Sequence, residues 1–155
     1  MLPGQAEFGL LDPPDYRINL DNLETSTAQE VFDQGAQHIL SMSGPCIHPV
    51  LGVCSYRDFE GNACPAGCFI HHEQYFPCFE EEGDWRALIF AEDLSPWHED
   101  LISSLQKIHD DSFMFLKKTL DIKDMKEGFL LPDVRPKIIE SLKNLASSLN
   151  LIYKF

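Results

Sequence analysis

Thr27-Ala28-Gln29-Glu30-Val31-Phe32-Asp33-Gln34-Gly35-Ala36-Gln37-His38-Ile39-Leu40 carries both the start and the buried face of a helix. Thr27 with Glu30 three positions on forms a capping box, in which the hydroxyl accepts one backbone N–H and the carboxylate accepts another. Phe32, Ala36, Ile39 and Leu40 fall at helical spacing on one side. Gly44-Pro45 closes the segment. Downstream, Ser95-Pro96 has the chemistry of a helix start, an N-cap followed by Pro at the first position. Trp97, Leu101, Leu105 and Ile108 then keep one face to about residue 109. Asp110-Asp111-Ser112 interrupts the pattern, and Phe113, Phe115, Leu116 and Leu120 continue it or begin a second helix. After breaks at Gly128 and Pro132, a last helix runs from about Arg135 to Asn150, with Ile138, Ile139, Leu142, Leu145 and Leu149 inward.

Between these helices the pattern changes. Val50, Leu51, Val53 and Tyr56, with Asp58 and Gly61-Asn62 as turn residues, predict a short β-hairpin over 49–63. Pro65 then heads a short helix whose buried side holds Cys68, Phe69 and His72. Residues 74–94 read as acidic and irregular, with Leu88-Ile89-Phe90 a strand or a buried tether. The expected fold is α+β and mainly helical, three to five helices around a short β-hairpin. Residues 1–24, rich in Pro, Gly, Asp and Asn, read as an extended N-terminal arm packed on a single globular domain over 25–155 through Phe8, Leu10, Leu11, Tyr16, Ile18 and Leu20.

A chain of 155 residues, 44% hydrophobic and 11% aromatic, can bury a core without metal or disulfide. No apolar run reaches the ~18 residues of a membrane span, and the N-terminus lacks a basic and apolar leader. The expected address is cytoplasmic, the host cytoplasm if the chain is viral. The net charge of −13 opposes direct nucleic-acid binding and attraction to anionic lipid. The charge is also split. Residues 1–116 hold 20 acids against 4 bases, a net −16, while residues 117–155 hold 5 acids against 8 bases, a net +3. Such a division favours a protein partner with a basic surface.

Five cysteines, an odd number, predict reduced thiols rather than a disulfide framework. Cys54, Cys64, Cys68 and Cys78 form C-x9-C-x3-C-x9-C, which offers a zinc set but lacks a C-x2-C knuckle. Free cysteines also serve as small apolar core groups. Cys64 just before Pro65 has another reading, as a thiol whose pKa a helix N-terminus would lower. A nucleophile needs a base, and none of the six histidines stands at a diagnostic spacing. His109-Asp110 looks like the dyad of metal-dependent phosphohydrolases, without the further ligands that class needs. No P-loop, dinucleotide fingerprint, H-E-x-x-H or G-x-S-x-G occurs. The remaining candidate is the acidic stretch: Glu80, Glu81, Glu82, Asp84, Glu92 and Asp93 are the expected partner-binding residues.

Cys54-Ser55-Tyr56-Arg57, then Gly61, then Cys64-Pro65-Ala66-Gly67-Cys68-Phe69-Ile70 resembles a family of small uncharacterised phage and bacterial proteins with a C-x-Y-R … C-x-x-G-C-[LF]-I pattern. Gln29-Glu30-Val31-Phe32-Asp33 and Leu105-Gln106-Lys107-Ile108-His109-Asp110 also fit it. Pro65, Phe69, His71-His72, residues 1–24 and about 112–132 depart from it. The resemblance implies a mobile-element or viral origin and one structural unit around the two motifs, with Gly67 allowing close packing. It carries no activity. The expectation is therefore a non-enzymatic protein-binding module, a phage or mobile-element inhibitor or modulator of a host or rival protein. A zinc-stabilised domain and a cysteine- or histidine-based enzyme are the alternatives.

Overall fold

The computed structural model describes residues 16–48, 51–58 and 60–155. Among them stand four α-helices: α1 (Ala28–Ser41), α2 (Trp85–Glu92), α3 (Glu99–Leu116) and α4 (Arg135–Ser148). Short 3-10 turns lie at Leu23–Thr25, Gly67–Phe69, Pro77–Glu81, Ile122–Asp124 and Gly128–Leu130. α3 is central and packs on α1, α2 and α4, and α1 also meets α4.

The capping box of α1 is present. Glu30 N–H donates to Thr27 Oγ1 at 3.1 Å, and Thr27 N–H donates to Glu30 Oε1 at 2.9 Å. Hydrogen bonding from the Thr27 backbone N–H, and from its side chain, to the carboxylate holds the Glu30 carboxyl below the usual carboxylate range. α1 buries Val31, Phe32, Ala36 and Ile39 completely. Gly35 lets α3 come close, since a β-carbon there would lie 2.4 Å from Leu105 Cδ1. Burying a large apolar side chain stabilises by roughly 1.5–3 kcal/mol, and Leu23, Phe32, Phe69, Leu88, Ile102, Leu105, Phe129, Ile138 and Leu142 all reach zero exposure.

The predicted hairpin is not there. Residues 49–63 hold no strand among those described; the region keeps two isolated antiparallel bridges, Ile47 with Cys54 and Arg57 with Ala63. The destination of the backbone donors explains why. Tyr56 and Arg57 give their N–H groups to the two carboxylate oxygens of Glu80, at 2.9 and 3.1 Å, instead of to a ladder. The Asp58 carboxylate takes the N–H groups of Glu60 and Asn62. Among the described residues the fold is therefore all-helical with loops, and only the mainly helical part of the α+β expectation holds. Val50 of the expected hairpin lies outside the described residues.

Four further expectations change. Leu88-Ile89-Phe90 belongs to α2, whose N-cap Asp84 accepts the Ala87 N–H at 2.9 Å. Pro65 heads no helix, only the approach to the Gly67–Phe69 turn. α3 starts after His98, in a left-handed conformation (φ 63°), rather than at Ser95-Pro96, and it runs unbroken through Asp110-Asp111-Ser112. In α4 the buried stripe is Ile138, Leu142 and Ala146, while Leu149 is exposed.

The described part of the N-terminal arm is anchored. Ile18 exchanges both backbone hydrogen bonds with the buried Gln34 amide, at 3.0 and 2.8 Å, and Leu23 has no exposure. Phe8, Leu10 and Leu11 lie outside the described residues. Gly67 is tightly packed: a β-carbon there would sit 2.2 Å from the Tyr56 carbonyl oxygen. The two motifs at 54–57 and 64–70 are thus in contact. No described helix is long and apolar enough to cross a membrane.

Candidate functional site

α3 faces the 43–70 loops with three polar side chains one turn apart. Gln106 accepts the Ala66 N–H at 2.9 Å and donates to Asp110 Oδ1 at 2.8 Å. His109, with no exposure, accepts the Cys46 N–H on Nε2 at 3.0 Å. A backbone amide can only donate, so that nitrogen carries a lone pair. The proton of the neutral ring then sits on Nδ1, 2.9 Å from Asp110 Oδ1. The ring also stands edge-on to Phe129, with centroids 5.5 Å apart. Burial raises the Asp110 pKa, but hydrogen bonds from His109, Cys54 and Gln106 outweigh it and hold the carboxyl below its usual range.

This hub has the outline of a carboxylate-oriented base, yet its chemistry is closed. The lone pair that would act as base is occupied by Cys46. Cys54 faces the Asp110 carboxylate, and burial followed by that negative charge pushes its thiol far up. Cys54, His109 and Asp110 bring ligand atoms within 4.8 Å of one another, but both imidazole nitrogens are already used. The hub fastens three loop segments to α3.

The predicted zinc set is not assembled. Cys64, Cys68 and Cys78 join no ligand cluster among the described residues. Cys64 Sγ accepts the Gly67 N–H at 3.2 Å and Cys68 donates to the Pro65 carbonyl at 3.0 Å, both buried, while Cys78 is exposed. Burial drives the Cys64 thiol well above its ordinary pKa, opposite to the activated thiol expected at a helix N-terminus.

The acidic stretch divides into two kinds of carboxylate. Glu80 is structural: besides the Tyr56 and Arg57 N–H groups it accepts the Tyr75 hydroxyl. Glu80→Gln places an amide donor against a backbone donor, and a loss of about 2 kcal/mol is expected in urea unfolding. Glu81→Gln on the exposed neighbour should stay within about 0.5 kcal/mol. Asp84 caps α2, and Arg86 ties down Glu99 and Asp100. Glu81, Glu82, Glu92 and Asp93 pair with no basic group among the described residues.

Beside these carboxylates lie aromatic groups that the sequence reading had placed inside. Phe90 is 91% exposed on the outer face of α2, one turn after Arg86, and Trp97, in the turn leading into α3, is 50% exposed. The signal for Phe90 was available once α2 was seen as a helix: Trp85, Leu88 and Ile89 take the inner face, which leaves position 90 outside. Aromatic side chains are enriched at the cores of protein interfaces.

No family model, no curated protein and no solved structure matches this chain. What defines its described residues is a framework of four helices with a buried polar hub and an acidic, aromatic outer face on α2 and its flanks.

Proposed function

We propose that the chain is a protein-binding module that engages a partner through the outer face of α2. Phe90 and Trp97 supply the apolar anchor, and Glu81, Glu82, Glu92 and Asp93 supply the field. The observation that carries this reading is the 91% exposure of Phe90 next to carboxylates with no basic partner among the described residues. Such a face fits a partner surface that is basic around an apolar pocket: the charges set approach and register, and a desolvated ring supplies most of the affinity. The −16 and +3 division of the chain supports the same polarity. The resemblance of the 54–70 motifs to phage and bacterial proteins supports a phage or mobile-element inhibitor or modulator of a host or rival protein.

The test compares three baits in affinity capture from bacterial lysate: the wild-type chain, Phe90→Ser, and a combined Glu81→Lys, Glu92→Lys, Asp93→Lys variant. A stoichiometric partner retained by wild type should weaken with salt. It should be lost from the charge-reversed bait and reduced at least about tenfold by Phe90→Ser, since removal of a central aromatic anchor costs 2 kcal/mol or more. Equal retention on all three baits refutes this face as the binding surface.

A further inference from the structure

We infer that the turn at His71-His72-Glu73 is a surface site for a divalent transition-metal ion of the zinc class. The two imidazoles and one carboxylate bring ligand atoms within 4.8 Å of one another, and the His71 and His72 ring centroids are 4.2 Å apart. His72 Nε2 and Glu73 Oε1 are separated by 3.8 Å. That is too long for a hydrogen bond, but near the roughly 3.4 Å between two ligands that share one tetrahedral ion at about 2.1 Å.

The turn is also held in place before any ion arrives. Gln74 N–H closes it onto the His71 carbonyl at 2.8 Å. The Gln74 side chain accepts the His71 N–H at 3.0 Å and the Leu20 N–H at 3.3 Å, and donates to Asn19 Oδ1 at 3.2 Å. His71 Nδ1 accepts the Glu73 N–H at 3.2 Å, so that nitrogen presents a lone pair, and an ion that takes it gives up one long hydrogen bond. Imidazole and carboxylate donors suit zinc, cobalt or nickel rather than calcium or magnesium. Three protein ligands leave a fourth tetrahedral position for water or for a donor from a bound molecule.

The experiment is calorimetric titration of the full, tag-free chain with Zn2+, and with Co2+ for its absorption spectrum. One saturable equivalent is expected, with a cobalt spectrum lacking the sulfur charge-transfer band. His72→Ala and Glu73→Gln, both checked for unchanged circular dichroism and metal-free melting, should each weaken binding about tenfold or more. Cys78→Ser, which removes the exposed thiol, should leave it unchanged. No saturable binding by wild type overturns the site, as does binding that survives His72→Ala. Loss on Cys78→Ser, or a sulfur band with cobalt, also overturns it by moving the ion to a thiol.

Discussion

His109→Ala should remove about 4 kcal/mol of folding stability, because two costs add at one site. The first is a cavity where a fully buried ring now packs edge-on to Phe129. The second is the Cys46 N–H, which donates to Nε2 and would be left buried without an acceptor. Against a typical domain stability of 5–15 kcal/mol such a loss moves the urea midpoint far to the left. Asp110→Asn is the discriminating control. Its amide oxygen still accepts the Nδ1–H, and the group is partly open to water, so about 1 kcal/mol should be lost. His109→Gln, which can offer an oxygen to Cys46, should fall between the two. A loss under about 1 kcal/mol for the alanine variant, by urea unfolding followed at two probes, would show that the hub fastens nothing.

That hub marks the boundary of what sequence patterns reveal. Thr27, Glu30 and the apolar stripe of α1 depend on neighbours within two turns, and they were readable because capping and amphipathicity are local. The hairpin over 49–63 failed for a non-local reason: Glu80, some 24 positions away, takes the donors a ladder would need. The same distance hid the division among the acidic residues. Glu80 and Glu81 are adjacent and chemically identical, yet one is enclosed by three donors and the other faces water. Phe90 was misplaced because an apolar triplet says nothing of period until Asp84 is recognised as the cap that starts α2. His109 was read as a helix-end residue because Asp110-Asp111-Ser112 resembles a break; burial against Phe129 and the Cys46 N–H, both distant in sequence, keep the helix running. The cysteine spacing was legible as weak, and the structure places three of those thiols in packing roles that spacing alone does not distinguish from ligation.

Acid should destabilise the fold well above the pH at which carboxylates protonate, and His38 is the reason. The ring is 5% exposed on α1. The Ala63 carbonyl can only accept, so Nε2 carries the proton toward it, and Nδ1 accepts the Tyr16 hydroxyl at 2.7 Å. Burial is the main cause that brings its pKa down to about 4. The Ala63 bond opposes the shift, and the positive charge of Arg57 adds to it. An unfolded histidine titrates near 6.5, so the unfolded chain binds the extra proton first. The stability that neutral His38 contributes is therefore fully present above about pH 6.5 and is lost as pH falls through the window to about 4. Over the upper part of that window, from pH 6.5 to 5, the loss should reach about 2 kcal/mol, at roughly 1.4 kcal/mol per unit. Glu30 and Asp110 act in the same direction but lower down: their pKa values are depressed, so their contributions are present above the ordinary carboxylate range and disappear only below it. The two effects separate by position on the pH axis. Urea midpoints of wild type should slope downward from pH 6.5 to 5, while His38→Gln, which can still donate to Ala63 and accept from Tyr16, should be nearly flat there and fall only below about pH 4.5. Parallel slopes for the two proteins would assign the acid sensitivity to another group. A wild-type protein flat to pH 5 would mean that His38 takes up its proton in the native state without cost, which a ring enclosed between Tyr16 and the Ala63 carbonyl should not allow.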